Sequence, residues 1–204
     1  MAGSGPSARR GPQRMKALLA LSRTIDALNE RVGRLCAWLV LACVLISAAN
    51  AVARYGFNLS SNAFLEIQWY LYAAVYLCAA GYALKHNAHV RIDLVSGRFP
   101  RRARLWIDVF GGLAMLLPMC AILVGFGWSA FLESWRIGEV SGDAGGLVRW
   151  PIKLVVPLAF LLLALQGISE TIKRVAILHG DLPDHLPGSH AKDQLDSPAR
   201  RELQ

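Results

Sequence analysis

Apolar residues fill four stretches of this chain, 35–53, 67–84, 109–132 and 154–169, and none of them contains a charged side chain. A helix rises about 1.5 Å per residue, so about 20 mainly apolar residues cross about 30 Å of hydrocarbon. The fourth stretch reaches that length once 151–153 is included, with the Lys153 amine reaching out to the headgroups. The pattern predicts an all-α integral membrane protein with four transmembrane helices over about 35–53, 65–84, 109–132 and 151–170.

Ahead of the first span, Leu18, Leu21, Ile25, Leu28, Val32 and Leu35 recur at helical spacing, while Arg23, Asp26, Asn29, Glu30 and Arg34 fill other faces. Residues 16–34 therefore read as an amphipathic helix lying in the membrane interface. A plain helical extension of the first span is the competing reading. Residues 1–15, rich in Gly, Pro, Ser and Arg, are expected to be disordered, as is the polar, proline-containing tail 175–204. The 54–63 connection is short and makes a tight antiparallel hairpin of spans one and two. Gly97 and Pro100 divide the 85–108 connection, and four glycines between 133 and 150 predict an irregular segment there.

Composition agrees with a membrane class: 54% of residues are hydrophobic, 18% are charged and mean hydropathy is +0.37. The net charge of +8 would suit nucleic acid only if the basic residues shared a soluble face. Instead they are sorted by connection. Of the 22 Lys and Arg residues, eighteen lie in the N-terminal segment, the 85–108 connection and the tail. The positive-inside rule then places both termini in the cytoplasm. The cluster Arg98, Arg101, Arg102 and Arg104 suits anionic lipid headgroups.

Catalytic chemistry finds no purchase. Cys36, Cys43, Cys78 and Cys120 lie within spans, show no CxxC spacing and read as packing residues. His86 and His89 share a spacing that two ligands alone do not turn into a metal site. No histidine falls within a span, which argues against a haem held in the bundle. Nucleophile and phosphate motifs are absent from the sequence, so neither an enzyme nor a cofactor is expected. Glu66 is the acid nearest the hydrocarbon. A coupling-ion role competes there with a contact to a partner subunit or to the helix N-terminus. Trp135, Trp150 and Tyr55 stand at span ends as interface anchors.

Two segments carry a resemblance. Glu66-Ile67-Gln68-Trp69-Tyr70 opens the second span, and Lys85-His86-Asn87-Ala88-His89-Val90-Arg91-Ile92-Asp93-Leu94 leaves it. Together with Trp135-x-x-x-Glu139-x-Ser141 and Trp150-Pro151-x-Lys153, they resemble the small membrane subunit of TRAP transporters, the DctQ type, over about residues 20–180. The Gln68-Trp69-Tyr70 opening and the Trp150 motif further resemble its mannitol/chloroaromatic subgroup. The resemblance implies a symport system of three parts. A periplasmic solute-binding protein delivers a solute, a large multi-span permease subunit imports it, and the small subunit scaffolds the large one. It marks Glu66, Trp69, His89, Arg91, Asp93, Trp135, Glu139, Trp150 and Lys153 as candidate subunit or lipid contacts. Two alternatives remain at this point: a stand-alone four-helix exporter using Glu66, and a membrane anchor for a redox enzyme.

Overall fold

The computed structural model describes residues 10–59, 61–86 and 100–179. Its elements are α1 (Arg10–Phe57), α2 (Asn62–Lys85), α3 (Arg101–Phe110), a π-helical stretch (Gly111–Leu116), α4 (Leu117–Ile137) and α5 (Trp150–His179). There is no strand among the described residues. Four helical segments are long and apolar enough to cross a membrane: one in α1, α2, the continuous run from α3 to α4, and α5.

The first helix has no break at residue 35. At 48 residues α1 extends about 72 Å, more than twice the thickness of the hydrocarbon. The segment read as interfacial and the first span are thus one element. The apolar stripe is split, with Leu18, Leu21, Leu28 and Leu35 exposed and Ile25 buried beside Ser22 and Asn29. The buried polar side chains find their partners on another helix: Ser22 on Ser169 and Asn29 on Gln166.

The third run is interrupted for a local reason. Pro118 has no N–H to donate to Ala114, and in regular α geometry its ring would press on that carbonyl. The chain widens just before it, where the Leu117 N–H reaches five residues back to the Gly112 carbonyl.

The hub of the bundle is α5, which packs on α1, α2, α3, the π stretch and α4. It carries the longest set of buried residues, from Pro157 through Gln166, Ser169 and Glu170 to Ala176. Two glycines let α1 and α2 approach closely: a Cβ at Gly33 would run into the Tyr82 ring, and one at Gly81 into Asn29. On the other side of α5, a Cβ at Gly127 of α4 would lie 3.1 Å from Pro157 Cδ.

Candidate functional site

Polar side chains gather at two places, one at each end of the bundle. The end formed by the 58–61 and 138–149 connections is termed the loop end, and the opposite one the termini end.

At the loop end, α4 stops at Gly138, which adopts a left-handed conformation (φ 60°) and returns its N–H to Trp135 O. The chain then doubles back. Ser141 N donates to Leu147 O (2.9 Å), Arg149 N donates to Glu139 O (2.9 Å), and Val140 bridges Val148. The glycine-rich connection has no regular strand, in keeping with the irregular segment expected from its composition, but it is folded back as a hairpin about one isolated bridge. Short-range backbone pairing, which composition does not report, decides this. Glu66 fastens the hairpin to α2. Only 4% exposed, it accepts hydrogen bonds from Leu147 N (2.6 Å) and from the Ser141 hydroxyl. Tyr70 OH donates to Val148 O (3.3 Å) and Asn62 Nδ2 to Ala144 O (3.2 Å). Lys153, on the first turn of α5, donates to Glu139 and forms an ion pair with it. That ammonium holds the Glu139 carboxyl below its usual range. Trp135 and Trp150 meet edge to face, with centroids 4.6 Å apart.

The two weaker sequence motifs thus interlock. Trp135 meets Trp150, Glu139 meets Lys153, and Ser141 meets Glu66. Trp69, by contrast, is partly exposed and lies edge-on to the neighbouring Tyr70. His89, Arg91 and Asp93 fall outside the described residues. The partner of Glu66 is this chain's own hairpin.

At the termini end a second network joins α1 to α5. Asn29 and Gln166 are fully buried, and Asn29 Nδ2 donates to Gln166 Oε1 (2.9 Å). Gln166 Nε2 donates to Asp26 (2.9 Å) and to Glu170 (3.2 Å). The Ser22 and Ser169 hydroxyls are 2.7 Å apart, and Ser169 also donates to Asp26 (2.8 Å). Lys173 bridges Asp26 (2.9 Å) and Glu170 (2.6 Å). Alongside, Lys85 pairs with Glu30 (2.6 Å), tying α2 to α1, and Arg174 faces Asp108 of α3 (3.4 Å). None of these residues except Lys85 belongs to the motifs picked from sequence. Their signal was present as spacing: Ser22, Asp26 and Asn29 recur at three and four, as do Gln166, Ser169, Glu170 and Lys173.

Between the two networks α5 runs through Pro-Leu-Ala-Phe-Leu-Leu-Leu-Ala-Leu, 157–165, without a polar side chain. Among the described residues no group of His, Cys, Asp and Glu has the arrangement of a metal site. Most of the polar groups in the two networks join one helix to another or to the hairpin, while Asn29 Oδ1, Ser134 Oγ, Arg149 Nε and Arg174 Nε are buried without a hydrogen-bond partner.

Residues 43–176 match the DctQ component of the tripartite ATP-independent periplasmic transporters. The chain belongs to that family. A TRAP transporter small permease protein of Haemophilus influenzae is 25% identical to it over 121 residues, which cover 59% of this chain and 74% of that protein. No solved structure matches. Family membership and the four apolar helices make this DctQ-type small permease a multi-pass membrane protein and a component of a TRAP transporter. All of the loop-end clamp and the α5 side of the termini-end network lie within the matched residues, whereas Ser22, Asp26 and Asn29 precede them.

Proposed function

We propose that this chain braces the large permease subunit of a TRAP transporter in a bacterial inner membrane, with both termini in the cytoplasm. The large subunit would import, by symport, a solute delivered by a periplasmic solute-binding protein. The observation that carries this reading is the placement of polar groups. Glu66, Glu139 and Lys153 lock the loop end, Asp26, Gln166 and Lys173 lock the termini end, and the apolar middle of α5 separates them. A translocation path needs polar or ionisable groups through the hydrocarbon, whereas a brace needs stiffness. Glu66, the residue on which a stand-alone exporter would depend, is already engaged by the hairpin.

Reconstitution tests the division of labour. In liposomes under an ion gradient, this chain alone is expected to take up no solute, and uptake should require the large subunit and the binding protein. Uptake by the small subunit alone refutes the reading. For orientation, a Ser197→Cys variant in a cysteine-free background should stay unlabelled by an impermeant thiol reagent in intact cells.

We also assign to Arg91 and Asp93 specific contacts with the large subunit or within their connection, beyond generic charge anchoring. Arg91→Lys keeps the charge but loses the two-pronged donor, and Asp93→Asn makes the segment more positive. Simple anchoring tolerates both changes. Loss of large-subunit co-purification in both variants supports specific pairing, and wild-type assembly in both removes it.

A further inference from the structure

Tyrosine hydroxyls mark one face of α2. Leu65, Trp69, Tyr72 and Tyr76 follow one another at spacings of four, three and four, so they share a side of the helix. All four are exposed, Tyr72 at 69% and Tyr76 at 73%. Gly81, which packs on Asn29 of α1, lies on the opposite side.

The depth of these tyrosines sets the problem they pose. Glu66 and Lys85 bound the uncharged stretch of α2, and Tyr76 stands ten residues from the one and nine from the other. Those separations are about 15 and about 14 Å along the axis, which puts Tyr76 at the middle of about 30 Å of hydrocarbon. Tyr72 is one turn, about 6 Å, nearer the loop end. Tyrosine favours the membrane interface, where its ring is in lipid and its hydroxyl is wet. At the middle of the bilayer no water satisfies the hydroxyl.

Nor does the rest of the chain. Tyr72 and Tyr76 form no hydrogen bond among the described residues, whereas Tyr70, on another side of the same helix, donates to Val148 O (3.3 Å). Short hydroxyl side chains meet the need on their own helix: Ser129 donates to Gly125 O (3.1 Å) and Thr171 to Gly167 O (2.8 Å). A tyrosine hydroxyl, carried at the far end of the ring, does not fold back in that way. A lipid tail has no acceptor to offer, so the group that satisfies these hydroxyls must come from another polypeptide.

We propose that the face of α2 carrying Trp69, Tyr72 and Tyr76 receives a transmembrane helix of the large permease subunit, which presents oxygen acceptors to the two tyrosines near the middle of the membrane. The identity of the partner rests on the function proposed above, while the face and its chemistry rest on α2 alone. Toward the termini end the same side continues as Ala79, Ala80 and Ala83, small residues that let a neighbouring helix lie close.

Association of the full-length chain with the purified large subunit in mixed micelles, followed by fluorescence energy transfer, tests it. The double variant Tyr72→Phe, Tyr76→Phe removes two hydroxyls and nothing else. Its affinity should fall about threefold to tenfold, the worth of one to two hydrogen bonds between membrane helices. The melting temperature of the isolated double variant should equal that of the wild type, because neither hydroxyl has a partner within the chain. A benzophenone photocrosslinker in place of Tyr76 should capture a helix of the large subunit in the assembled transporter. Unchanged affinity, capture of lipid alone, or a lowered melting temperature of the isolated double variant overturns the proposal and leaves the bracing function standing. Failure of the wild-type chain to associate with the large subunit removes both.

Discussion

Substituting Gly81 by alanine places a methyl group where α1 and α2 touch. The new carbon would stand 3.1 Å from Asn29 Cγ, closer still to Asn29 Oδ1, and 3.6 Å from the Leu162 carbonyl of α5. Asn29 has little freedom to yield, because its amide nitrogen is held by Gln166 Oε1 (2.9 Å) and by Ile25 O (3.3 Å). Two responses are open. Asn29 swings aside and loses its bond to Gln166, which for membrane helices is worth about 0.6 kcal/mol on average and about 1.7 at most. Otherwise the helices separate, at the cost of about 1–3 kcal/mol typical of overpacking. Alanine recovers up to about 1 kcal/mol through helix propensity. Set against that recovery, the expected net effect is a loss of up to about 2 kcal/mol. Asn29→Ala alone forfeits the same hydrogen bond but leaves space, so the double variant should be no less stable than Asn29→Ala, a non-additivity of about 1 kcal/mol or more. Reversible unfolding of the purified chain in mixed micelles, followed by tryptophan fluorescence as the denaturing detergent fraction rises, measures all four corners of the cycle. A clearly stabilising Gly81→Ala, or strictly additive costs, would refute the close-contact argument.

Three further outcomes follow from the same structure. Gln166→Leu removes the hub of the termini-end network and leaves the Asn29 amide without its Gln166 acceptor. It should lower stability by about 1–3 kcal/mol in the same unfolding assay. Glu66→Ala strips the acceptor from Leu147 N and Ser141, so protease cleavage within 139–148 should accelerate while the helices stay intact. A cleavage rate equal to that of the wild type would count against the clamp. Lys153 depresses the Glu139 carboxyl, so the pair's contribution is fully present above the ordinary glutamate pKa of 4.5 and fades as pH falls through the lower folded value. Melting temperatures of wild type and Glu139→Gln should accordingly differ at neutral pH and converge in acid, whereas a gap unchanged with pH would exclude that linkage.

The four helices and their order were legible in the sequence, because a bilayer imposes one local requirement, about 20 mainly apolar residues, and each stretch meets it independently, the fourth with Lys153 at its edge. The Glu66, Glu139 and Trp150 motifs were legible as resemblance, but their meaning was not. That Ser141 meets Glu66 and Lys153 meets Glu139 depends on a hairpin whose pairing, Val140 to Val148, is set by backbone geometry. The termini-end network was harder to read. Ser22, Asp26 and Asn29 lie beside an apolar stripe, and by the habit of water-soluble helices that stripe should face the core. The structure instead turns Leu18, Leu21 and Leu28 outward, buries Ile25, and joins the polar edge to Gln166 and Lys173 of α5. The sequence by itself determined which segments can enter a membrane. Which faces of them meet was decided by the packing of α5 among its neighbours, because the three-and-four spacing of Ser22, Asp26 and Asn29 marks a polar edge without naming the helix it joins.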